Sequence, residues 1–203
     1  MSSIFDRFTP TSIHNVTFAS TSLAKVVGNI VTGKQQTHLL LHGDPGTGKS
    51  KIAELLIAAM YPATAITKSY VFDGDEWTTS CTAQVEGTMN AWKMTDQIWH
   101  FTVINEVDRL NADEIGNVRC FMDKHLDHKF ILTTNHVGKL PSNFQNRCSA
   151  HHVDMEPAAS VAHKVCQVFA DHGKFISPAD ALVLVSASKG SWRSLENLVH
   201  QFL

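Results

Sequence analysis

HGDPGTGKS, residues 42–50, satisfies the pattern G-x-x-x-x-G-K-[ST] with Gly43, Gly48, Lys49 and Ser50. Asp44, Pro45, Gly46 and Thr47 fill the turn, and Lys51 follows it. Glycines at these positions let the backbone bend around an anion, so that successive N–H groups and a helix N-terminus point at phosphate. A lysine ammonium then bridges the outer phosphates and a serine hydroxyl ligates Mg²⁺. The flanks fit: His38-Leu39-Leu40-Leu41 is a short apolar run suited to a buried parallel strand, and Ile52, Leu55, Leu56 and Ala59 recur at helical spacing. Strand, glycine loop, helix is the order a phosphate loop requires, whereas a glycine-rich surface turn has no need of the lysine and the hydroxyl.

Outward from the loop, Leu23, Val26, Val27 and Ile30 predict a helix over about 22–32, with Gly33 as its stop. A second strand is expected within Ala65 to Phe72 and a less regular helix from about Thr79 to Met94. Phe101–Ile104 reads as a third strand, Ala112–Leu126 as a helix, Lys129–Thr134 as a fourth strand and His151–Asp154 as a fifth. Alternation at these lengths predicts an α/β fold, a P-loop NTPase with a five-stranded parallel sheet sandwiched by helices. Ligands of such sheets sit beyond the carboxyl ends of the strands, which is where residues 43–50 fall. After Glu156-Pro157 three helical stripes follow: Ala158, Val161, Ala162, Val165 and Phe169; Ala179, Leu182 and Val183; Leu195, Leu198, Val199 and Phe202. The expected organisation is a core domain over 1–155 and a small three-helix lid over 156–203.

The 203 residues, 43% hydrophobic and 18% charged, suffice for one globular domain with a small appendage. No apolar stretch approaches the roughly 20 residues of a membrane span, and the first residues show neither an apolar core nor a basic leader, so a cytoplasmic protein is expected (host cytoplasm if viral). Cys81, Cys120, Cys148 and Cys166 contain no C-x-x-C pair, which favours free buried thiols over a zinc knuckle or disulfides. Twelve histidines raise the question of a metal, but adjacent His151 and His152 in a strand face opposite ways, and packing roles are favoured. A net charge of −2 excludes a strongly basic nucleic-acid sink but not a local DNA-binding patch. Lys34, Lys51, Lys68 and Lys124 are candidate phosphate contacts, with ordinary surface lysines the simpler reading.

The third strand runs into Ile104-Asn105-Glu106-Val107-Asp108 and the fourth into Thr134-Asn135. Hydrolysis of ATP needs a group that orients and polarises water in line with the γ-phosphate. Glu106 is the candidate base, and Asn135 the candidate to hold the water from the other side.

In order, the phosphate loop, FTVINEVDRL, FILTTN, NRC and the late SWRSL resemble the AAA+ ATPases, and within them the clamp-loader group of replication factor C subunits and phage clamp loaders. DRFTP, VVGNIVTGK, VRCFMDKH and KLPSNFQNRC extend the resemblance over most of the chain. It implies Lys49 and Ser50 as Walker A, Glu106 as the Walker B base, Asn135 as sensor 1 and Arg193 as sensor 2 from the lid. It implies Arg147 as an arginine finger acting on a neighbour's ATP, with Arg119 as a second trans contact or a solvated helix arginine. Such fingers contribute on the order of 10³ to 10⁵ in rate. ATP and Mg²⁺ are the implied cofactors. The implied partners are other AAA+ subunits in a homo- or hetero-oligomer, a pentamer among the possibilities, with DNA and a sliding clamp.

Two departures stand out. Asn105 replaces the family's Walker B aspartate, an amide where a Mg²⁺ site carries a charge, so that a slow ATPase, an ATP-binding switch and an engineered substitution all stay open. The retained Lys49, Glu106, Asn135, Arg147 and Arg193 favour activity. The chain also ends after the third lid helix, where clamp loaders continue into a helical collar. Three functions are carried forward: a clamp-loader-like ATPase, a helicase-loader or transposition-type ATPase, and a weakly hydrolysing nucleotide-dependent interaction module.

Overall fold

The computed structural model describes residues 3–60, 71–92 and 100–203. Strands β1 (His38–His42), β2 (Val71–Asp73), β3 (His100–Asn105), β4 (His128–Thr134) and β5 (Cys148–His152) form one parallel sheet in the order β2-β3-β4-β1-β5. Leu39, Leu40 and Leu41 are all completely buried, because successive side chains of a central strand face two covered surfaces. Leu40, Ile104, Phe130 and Leu132 join a core beneath α3 (Thr79–Trp92) and α4 (Ala112–Lys124). Leu39, Leu41, Val103 and Ile131 join the opposite core with α1 (Thr21–Val31) and α2 (Lys49–Met60).

The order matters for chemistry. β4 lies between β1 and β3, so the end of β4 is set between the loop that follows β1 and the acidic turn that follows β3. A short α5 (Ser142–Gln145) then leads into β5, which pairs along β1 from His38↔Cys148 to His42↔His152. The helices α6 (Ala158–Asp171), α7 (Pro178–Ala187) and α8 (Trp192–His200) have their own core, which includes Val161, Val165, Ala181, Leu195 and Val199. Phe5 is buried in that core, with Ile4 and Phe8 packed against it, while Ile13 is buried on the β-sheet side. Residues 3–18 therefore strap the lid helices to the sheet.

Several expectations need correction. The fifth strand lies at 148–152 rather than 151–154, because its register follows β1 and Val153 already makes the loop bond N–H to His42 O at 2.8 Å. α4 stops at Lys124, leaving Leu126 71% exposed. On α7 the stripe Ala179, Leu182, Val183 faces solvent, and Ala181 and Val185 are the buried pair. That helix, PADALVLVSA, is apolar on nearly every side, so periodicity alone could not choose its buried face. All four cysteines are free, but only Cys81 is buried and Cys120 is exposed. Val71 and Phe72, the end of the expected second strand, lie in β2, and the rest of that expectation, with Lys68, lies outside the described residues. Among the described residues no helix is long and apolar enough to cross a membrane.

Candidate active site

Gly43, Gly46 and Gly48 adopt φ of 140°, 84° and 98°, conformations that side chains with a Cβ rarely take. A Cβ on Gly43 would also stand 2.8 Å from Val153 O. Lys49, the first residue of α2, is 6% exposed, and its ammonium donates to Gly43 O at 2.9 Å and Asp44 O at 2.7 Å. Burial lowers its pKa, opposed by Asp44, Glu106 and Asp108, whose carboxylates all act on it. The Thr47 hydroxyl donates to Asp44 O at 3.1 Å and stiffens the turn. Asp44, Pro45 and Ser50 are exposed, and Lys51 reaches Glu54 at 3.2 Å.

The strand ends bring their polar groups to the same side. Thr133 on β4 donates its hydroxyl to Asn105 Oδ1 at 3.2 Å and accepts the Glu106 N–H at 3.1 Å, tying β3 to β4. Glu106 itself has φ 52° and ψ 48°, a left-handed conformation that costs a non-glycine residue energy and concentrates at functional sites. Its carboxylate is 2.6 Å from Arg109 Nη2, and Arg109 also binds Asp75 in the turn after β2. These acids raise the Arg109 pKa, Asp75 most strongly. Asp108 accepts from Thr134 Oγ1 at 2.6 Å. Asn135, half-buried, directly follows β4 between these groups and the loop.

Beside the loop lies a cavity of about 360 Å³. Its walls include Thr17 and Phe18 of the strap, Thr47 and Gly48 of the loop, and Val153, Trp192 and Arg193. The lid is seated on the loop directly: Trp192 N–H donates to Gly46 O at 3.0 Å, one residue before Arg193 on the first turn of α8. His152 also lines the cavity, edge-on to His42 at 5.2 Å and 3.1 Å from Asp154. Burial first, then the neighbouring His152, His151 and Lys49, depress the His42 pKa.

Arg147 stands apart. It precedes β5 at the sheet end where β1 begins, while the loop follows the other end of β1. Five strand residues separate the two ends, about 16 Å at roughly 3.3 Å per residue. Its guanidinium is held by Asp123 through Nε and Nη2, each at 2.7 Å, and by Asn143 O at 2.5 Å.

Lys49, Asn105, Glu106 and Asn135 thus gather at one end of the sheet, with Arg193 on the wall of the cavity beside the loop, and Arg147 does not join them. Sequence reasoning passed over Asp108, Arg109 and the strap residues Thr17 and Phe18. Asp108 had a signal, a second acid two positions after Glu106; the strap had none, because only folding brings it beside the loop. Among the described residues no cluster of three or more His, Cys, Asp or Glu is arranged to hold a metal by itself.

The model of the ATPase family associated with various cellular activities (AAA) matches residues 39–153. Replication factor C small subunit 1 of Pyrobaculum arsenaticum is 22% identical over 96% of this chain and 60% of its own length. Replication factor C subunit 3 of Oryza sativa is 22% identical over 96% and 55%, and the replication factor C large subunit of Methanococcus maripaludis 30% over 66% and 28%. The chain therefore spans little more than half the length of the small subunits it resembles. In fold it is similar to the Thermotoga maritima RuvB Holliday junction branch migration motor, with a TM-score of 0.66 at 19% identity over 95% of this chain and 64% of that one. A family match over more than half the chain, on a parallel sheet with a phosphate loop after its β1, makes this protein a member of the AAA family of ATPases.

Proposed function

We propose that the chain is an ATP-hydrolysing subunit of a clamp-loader-like AAA+ assembly that works on DNA, with each ATP site shared between neighbouring subunits. The observation that carries this reading is the separation of Arg147 from every other group suited to the chemistry. A guanidinium mounted about 16 Å along the sheet from its own loop can serve a phosphoryl group only on another copy or a related subunit.

In this reading the base and ribose of ATP occupy the cavity between strap, loop and α8, and the phosphates lie along the loop from Gly43 to Ser50 at the N-terminus of α2. The Lys49 ammonium exchanges its two loop carbonyls for phosphate oxygens. Glu106 turns from Arg109 to accept a proton from the attacking water, and Asn135 fixes that water from the β4 side. Arg193 reaches down from the lid helix whose backbone already touches Gly46, so that nucleotide occupancy is coupled to lid position. The oxygen donors fit Mg²⁺: the exposed Ser50 hydroxyl and the Asn105 amide oxygen would hold it, and it would neutralise charge on the phosphates. Asn105 supplies no charge, and the nearby Asp108 carboxylate, within electrostatic reach of Lys49, offsets part of that loss.

ATP turnover per subunit, measured against protein concentration and with primed DNA and a sliding clamp, tests the proposal. Turnover should climb as subunits assemble and climb again with DNA and clamp. Arg147→Ala should remove about 10³-fold or more of the assembled rate while leaving ATP affinity intact. A rate that stays flat under all these additions refutes the proposal, and stimulation by single-stranded DNA or a helicase in place of a clamp redirects it to helicase loading.

A further inference from the structure

We propose that Asp123 is a positioning residue for the arginine finger, holding the Arg147 guanidinium in the pose from which it reaches the neighbouring subunit's phosphoryl group. This rests on the reading of Arg147 as a residue that acts in trans.

Of the five N–H donors of a guanidinium, three are engaged within the chain: Nε and one N–H of Nη2 by the two Asp123 oxygens, and one N–H of Nη1 by Asn143 O. One N–H on each terminal nitrogen remains, and the side chain is 32% exposed, so the group is oriented but not consumed. Both anchors are rigid. Asp123 sits in the last turn of α4 beside the buried Phe121 and Met122. Asn143 belongs to α5, whose Phe144 is completely buried and whose Gln145 side chain donates to Val137 O at 3.0 Å and Leu140 O at 2.8 Å. The Arg147 N–H closes the turn on Phe144 O at 3.1 Å.

The pair's own contribution to stability is small, because the two side chains are 32% and 53% exposed and such pairs are well screened. Its effect lies in orientation. A free arginine side chain carries enough rotamer freedom that fixing it in advance changes a rate by up to about 30-fold, about 2 kcal/mol at 1.36 kcal/mol per factor of ten. Part of that freedom is already removed by Asn143, which sets the expected loss at about 10- to 30-fold.

The test mixes two chains: Lys49→Ala, which keeps the finger but lacks a working loop, and Arg147→Ala, which keeps the loop but lacks the finger. If the finger acts on another copy of this chain, as the proposal requires, the mixture turns over ATP faster than either chain alone; absence of that gain overturns the proposal. Asp123→Asn is then added to one chain at a time. In the finger-donating chain it should lower kcat about 10- to 30-fold with KM for ATP within about twofold, and Asp123→Glu there should recover most of the loss. In the loop-donating chain, where Arg147 is already absent, it should have no further effect. An equal loss in both placements, a rise in turnover, or a change in KM in place of kcat overturns the proposal. So does a fall in unfolding temperature well beyond about 4 °C, which would mark Asp123 as structural.

Discussion

Gly46 is the point where lid and loop meet, and replacing it with alanine tests whether that seat holds the two together. The perturbation has two parts. At φ 84° a Cβ costs about 1–2 kcal/mol in backbone strain. The same Cβ would overlap the Ser191 hydroxyl, whose oxygen caps α8 by accepting the Ser194 N–H at 3.3 Å. Swinging that hydroxyl away loses the cap, about 1 kcal/mol. The sum is about 2–3 kcal/mol, and in a chain of this size about 2–4 °C of melting temperature accompanies each kcal/mol, giving a fall of about 4–12 °C. Thermal unfolding followed by circular dichroism without nucleotide measures it. The double variant Gly46→Ala/Ser191→Gly supplies the control: glycine caps a helix nearly as well as serine and offers nothing to collide with, so about 1 kcal/mol should return. A single variant that melts within about 2 °C of the parent, or a double variant that is worse than the single, would refute the described seat of α8 on the loop.

Glu106→Gln should lower the assembled turnover by about 10²-fold or more while ATP still binds, as read by stopped-flow turnover and equilibrium dialysis. Asn105→Asp preserves the bond from the Thr133 hydroxyl and adds the missing charge; the Mg²⁺ concentration for half-maximal turnover should fall several-fold, and an unchanged value would show that Asn105 does not face the metal. Stability should fall in acid. Burial, with Lys129 next, lowers the His38 pKa to about 4, and burial, with His100 next, lowers the His128 pKa to about 3. Both are neutral when folded and take up a proton near pH 6.5 when unfolded, so the stability they contribute is complete above pH 6.5 and is lost as pH falls toward those folded values. Each costs about 1.4 kcal/mol per pH unit in that window, so unfolding free energies from urea titrations at pH 7.5 and 5.5 should differ by about 2–3 kcal/mol from these two alone. Among the described residues neither ring nitrogen of His128 has a hydrogen-bond partner, and His128→Phe should remove about half of the difference.

Legibility followed the strength of the local pattern. The strand at His38–His42 was readable because three leucines in a row suit a strand covered on both sides, and the glycine loop that follows can only bend where those glycines allow. β3 and β4 each begin one residue earlier than read, at His100 and His128, where buried histidines disguise a strand as a polar loop. β5, CSAHH, has no apolar run at all and exists as a strand because β1 offers it an edge to pair with. The buried face of α7 was misread for the opposite reason, an excess of apolar residues. Of the residues expected from spacing and resemblance, Lys49, Glu106 and Asn135 lie at one end of the sheet and Arg193 lines the cavity beside the loop. Arg109 and Asp123 were not found, because their partners, Glu106 with Asp75 and Arg147, are chosen by packing of separate elements.

By itself the sequence determined that this chain carries a phosphate loop between a buried strand and a helix, since that chemistry is confined to nine consecutive residues and their immediate neighbours. It also determined the alternation that makes a parallel sheet, because hydrophobic periodicity is a local property. Only the tertiary structure decided that β4 would be inserted between β1 and β3, that a strap from the N-terminus would wall the cavity, and that Arg147 would stand at the opposite end of the sheet from its own loop. These are matters of strand order and long-range packing, governed by contacts between residues far apart in the chain. The loop is written in one place, but the cavity beside it is assembled from both ends of the chain.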